Sequence, residues 1–63
     1  MENKNDIVTV VCYGEKKMMT RQEAKVFYLA CMYGSEGSER ERYTNIYLNL
    51  LAGMDYCTDG VDW

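Results

Sequence analysis

The chain has 63 residues and a net charge of −3, with 48% hydrophobic residues, three cysteines, no proline and no histidine. That length holds one domain, 1–63, with a small core, and that hydrophobic content argues against intrinsic disorder. The charge disfavours sequence-independent binding to phosphate backbones or anionic membranes, and the missing histidine removes the commonest general base and metal ligand.

The N-terminal run Met1-Glu2-Asn3-Lys4-Asn5-Asp6 is polar and mixed in charge, without the basic start and apolar run of a secretory signal. The longest strongly apolar stretch, Val26 to Tyr33, is too short to span a bilayer. Cys12, Cys31 and Cys57 are odd in number and widely spaced, which fits free thiols in a reducing cytoplasm better than a disulfide framework, although a single bridge stays open. The expected location is therefore cytoplasmic.

Residues 7–13, Ile-Val-Thr-Val-Val-Cys-Tyr, are β-branched and aromatic and read as a strand. Val8, Val10 and Cys12 form its smaller, wholly apolar face, the one expected against the core. Gly14-Glu15 reads as a type II′ turn, with Lys16-Lys17-Met18-Met19 as a short return strand. Pairing across that turn sets Met18 opposite Val11 and Met19 opposite Val10, and the lysines suit an exposed edge.

Thr20-Arg21-Gln22-Glu23 is a capping box, so a helix is expected from Arg21. Its stripe is Ala24, Phe27, Tyr28 and Cys31. Val26, Leu29, Ala30, Met32 and Tyr33 make it apolar nearly all round, as for a helix buried on more than one side or touching another molecule. Gly34 supplies the stop.

Ser35 and Ser38 both qualify as caps for a second helix, and Ser38-Glu39-Arg40-Glu41 repeats the capping-box pattern. Its stripe is Tyr43, Ile46, Tyr47, Leu50 and Leu51, with Thr44, Asn45 and Asn49 opposite. Gly53 closes it. Met54–Thr58 has the composition of a third short strand beside the hairpin. The expected fold is α+β: a small β-hairpin, two antiparallel helices on one sheet face and a short third strand, ββααβ, with 1–5 and 59–63 as flexible tails.

No residue set carries catalytic, cofactor or metal chemistry. The cysteines lack the close pairing of a zinc site, and the serine-rich loop 34–38 lacks the spacing and lysine of a phosphate loop. Six tyrosines in so short a chain supply amphipathic surface of the kind enriched at protein interfaces. Tyr33, Arg40, Arg42 and Tyr56 are the expected contact residues. Lys16, Lys17, Arg21 and Lys25 form an alternative basic patch.

The stretch from Ser35 to Tyr47, SEGSERERYTNIY, with Met19-Thr20-Arg21-Gln22-Glu23-Ala24 before it, resembles a group of short bacterial proteins. These are often seen in gut bacteria and on mobile genetic elements, and the resemblance spans Gly14 to Asp59. It implies a small accessory protein of a bacterial cytosol and transfers no site residue. The functional expectation is a non-enzymatic interaction or regulatory protein that binds another protein or itself, without a cofactor and without a membrane. The alternative is a nucleic-acid-binding regulator of a mobile element, which the negative charge disfavours.

Overall fold

Five elements follow one another in the order expected: β1 (Ile7–Cys12), β2 (Glu15–Thr20), α1 (Arg21–Tyr33), α2 (Ser38–Leu51) and β3 (Tyr56–Thr58). The structure, a computed structural model, describes residues 6–60. Residues 1–5 and 61–63, expected as tails, lie outside the described residues.

The sheet has the order β2-β1-β3, with β1 antiparallel to β2 and parallel to β3. Alternation along β1 sends Val8 and Val10 into the core, both fully buried, while Ile7 and Thr9 face the other way. The core is Val8, Val10, Ala24, Tyr28, Ile46, Leu50 and Cys57, with Cys12, Met19, Cys31 and Tyr43 packed around it. Burying each of the larger apolar side chains contributes about 1.5–3 kcal/mol.

The hairpin turn differs from expectation. Cys12 pairs with Glu15, so the turn residues are Tyr13 and Gly14 and not Gly14 and Glu15. Both have positive φ, 55° and 78°, the pattern of a type I′ turn, whose twist matches that of the strands. The register moves by two residues: Met19 lies opposite Val8 and Met18 opposite Thr9. A two-residue shift keeps every side chain on its expected face, so Met19 still turns to the core.

Thr20 caps α1, its hydroxyl accepting from the Glu23 amide at 3.1 Å. The second capping box is a correction. Ser38 is the first residue of α2, and the N-cap is Gly37, whose side-chain-free backbone leaves no capping bond. Two stripe residues also depart from expectation, since Phe27 is 50% and Leu51 54% exposed. Both sit at the margin of their helix's buried face, where the described three-stranded sheet leaves them uncovered.

The polar side of α2 is not simply solvated. Asn45 Nδ2 donates to the Asp59 carbonyl at 3.0 Å and Asn49 Nδ2 to the Thr58 carbonyl at 3.3 Å. These bonds hold the segment after Cys57 along the helix. The flexible tail expected from Asp59 onward therefore does not begin there: the Asp59 amide donates to the Val11 carbonyl at 3.2 Å, and the residue is 1% exposed.

Candidate interaction surface

Two charged clusters pin the ends of the sheet to the helices. At the turn end, the buried Asp59 carboxylate accepts from the Tyr13 amide and from Arg42 Nη1, each at 3.0 Å. Arg42 also lies 4.4 Å over the Tyr13 ring, a cation–π contact. The hydroxyls of Tyr13 and Tyr43 reach Glu39 Oε2 at 3.3 and 3.4 Å. Tyr13 holds positive φ, a costly conformation for a residue with a Cβ, and this set of contacts holds it there.

At the opposite end Arg21 makes four bonds. It donates to the carboxylates of Asp6 at 2.9 Å and Asp55 at 2.8 Å, and to the carbonyls of Leu50 at 3.1 Å and Met54 at 3.0 Å. The bond that Arg21 donates to Asp6 is the foremost reason that the Arg21 pKa rises above its ordinary value. One guanidinium thus joins the entry of β1, the end of α2 and the approach to β3.

These clusters redistribute the residues singled out from the sequence. Arg42 belongs to the Asp59 cluster, and Arg40 Nε donates to the carbonyls of Met32 and Ser35 at 3.0 Å, closing the end of α1. Tyr33 stands 78% exposed at that end of α1, whereas Tyr56 pairs with Thr9 and lies on the open face of the sheet. The four are thus divided between two layers. In the basic set, Lys16 and Lys17 are exposed on β2, Lys25 is half-buried on α1, and Arg21 is tied to two carboxylates.

Exposed apolar side chains of two elements flank the border where the β2 edge meets α1. Met18 is 71% exposed and Val26 61%, and Phe27 packs edge-on against Tyr28 with ring centroids 4.9 Å apart. A shallow cleft runs here between Lys17, Met18, Met19, Glu23 and Phe27. The sequence carried a trace of it in the surplus apolar residues of α1. It gave no sign that Phe27, at perfect core spacing, overhangs an edge strand.

Among the described residues no three His, Cys, Asp or Glu side chains gather as a metal site. Burial is the foremost cause that pushes the thiols of Cys12, Cys31 and Cys57 above their ordinary pKa, and it carries Tyr28 and Tyr43 up to about 12. Thiols so placed stay protonated near neutrality and are poor nucleophiles and ligands.

Comparison with known protein families, with curated proteins and with solved structures returned no match to this chain.

Proposed function

We propose that this protein acts by binding protein and not by catalysis, as a small interaction or regulatory factor of a reducing cytoplasm, with the β2–α1 border as its contact surface. The observation that carries the reading is the exposure of Met18 and Phe27 beside one cleft, with exposed Val26 beside Phe27 in the adjoining one. Exposed apolar side chains gathered around a cleft, as opposed to scattered singly, are what an interface presents. Lys17 and Glu23, which line the cleft beside Met18 and Phe27, would supply a polar rim.

The nucleic-acid alternative draws only on Lys16, Lys17 and Lys25, because Arg21 spends its charge on Asp6 and Asp55. Three lysines on a chain of net charge −3 make a weak electrostatic footprint.

The test is affinity capture with the wild-type chain and a Met18→Glu/Phe27→Glu variant whose circular dichroism matches it. Both sites are exposed, so the fold should survive. The reading requires that captured proteins, or self-association, be lost with the variant. Identical behaviour of the two chains overturns it.

A further inference from the structure

We propose that the occupant of this border is a second copy of the chain, joined through antiparallel β2–β2 pairing with Met18 facing Met18 across a two-fold axis. The inference rests on the protein-binding reading above and names its partner.

The geometry of β2 supports it. Among the described residues the strand lies at the edge of the sheet, with β1 on one side. The Arg21 amide donates to the Asp6 carbonyl at 2.9 Å and continues the β1–β2 ladder by one pair. Because hydrogen-bonded and non-bonded pairs alternate, the backbone groups of Glu15, Lys17 and Met19 point to β1. Those of Lys16 and Met18, and the Thr20 amide, point outward from the sheet. An edge of this kind is a template for a further strand.

Charge then selects the register. Pairing centred on Lys17 sets Lys17 against Lys17, and pairing centred on Lys16 sets Lys16 against Lys16. Centring on Met19 sets Lys17 against Arg21. Like charges directly opposite are unfavourable in a sheet. Centring on Met18 avoids all three: Lys16 faces Thr20, Lys17 faces Met19, and Glu15 faces Arg21. It also aligns outward backbone groups with outward ones, so the Met18 amide and carbonyl of each copy meet those of the other.

The side chains agree with that register. On the helix side, Lys17 of one copy arrives beside Met19 of the second copy, in the cleft that Glu23 and Phe27 line. A cation there meets the second copy's Glu23, and Phe27 is covered across the axis. On the open side, the two Met18 side chains pack together. The contact is isologous, so it closes at a dimer and does not propagate.

Sedimentation equilibrium of the full chain tests the proposal. Wild type is expected to be dimeric at high micromolar concentration. Met18→Pro removes an amide that points away from β1, so it is expected to keep the wild-type circular dichroism and weaken dimerisation by at least about tenfold. Lys17→Glu is expected to weaken it likewise, and Lys17→Glu combined with Glu23→Lys to restore it, which keeps the test sound if the proline variant does not fold. A wild-type monomer at millimolar concentration overturns the proposal, as does a dimer indifferent to every one of these variants. A monomer whose capture of another protein still depends on Met18 and Phe27 overturns the dimer and leaves protein binding standing.

Discussion

The Asp59 carboxylate, with no solvent exposure, lies 3.0 Å from the Arg42 guanidinium and joins the last described strand to the second helix. The same carboxylate takes the Tyr13 amide, so one acidic side chain fastens the hairpin turn, α2 and the end of β3. Breaking a buried pair leaves the surviving charge uncompensated. Asp59→Ala is expected to destabilise the fold by about 2–3 kcal/mol, less than for a fully buried arginine because Arg42 keeps some contact with water. Urea unfolding measures this, and a loss below about 0.5 kcal/mol would contradict the fastening role.

Arg21 sets a stricter test because its geometry, not only its charge, is in use. Four bonds to two carboxylates and two carbonyls need the spread donors of a guanidinium. Arg21→Lys is expected to cost about 1–2 kcal/mol although charge is conserved. Equal midpoints for the two chains in thermal unfolding would show that charge alone suffices.

Gly37 starts α2 at φ 68° and ψ −141°, a region that residues with a Cβ rarely enter. A Cβ there would meet no atom within 4 Å, so the cost of a substitution is conformational and not steric. Gly37→Ala is expected to destabilise by about 1–3 kcal/mol without changing the fold. Chemical denaturation with matching far-ultraviolet spectra checks both halves.

Alkaline pH should unfold the protein. Tyr28 and Tyr43 have pKa values pushed up from 10.0 to about 12, so the native state holds phenolic protons that the unfolded chain releases earlier. Their contribution is complete below pH 10 and is lost as pH rises towards 12. Each tyrosine steepens the fall by up to about 1.4 kcal/mol per pH unit in that window. Unfolding free energies across that range, with tyrosinate absorbance at each point, test the sign.

The thiols give an independent readout of burial. Cys57 is fully buried, and burial raises the pKa of all three cysteines. Alkylation at neutral pH is expected to modify Cys57 only through unfolding, and Cys12 and Cys31 more slowly than a free cysteine. Rapid labelling of Cys57 in the folded protein would contradict the packing described.

Much of the fold was legible because it rests on short-range physics. The Thr20 cap, the β-branched run at Ile7–Cys12 and the 3.6-residue stripes around Ile46 and Leu50 are local patterns, and each formed the expected element. The turn was misplaced because Tyr13 is a poor resident of a left-handed position. The distant side chains of Arg42, Glu39 and Asp59 hold it there. Ser38 lost its capping role because Gly37, with its freer backbone, makes the bend one residue earlier.

By itself the sequence determined the element order, the faces that meet in the core and the excess of apolar residues on α1. The tertiary structure alone decided which charges were free and which apolar side chains stayed uncovered. Arg21 and Arg42 look like surface cations in one dimension and become cross-links once residues more than 15 positions away are folded against them. Phe27 looks like core and stands at an edge, because its burial depends on a neighbouring strand beyond β2 that the described residues do not place there.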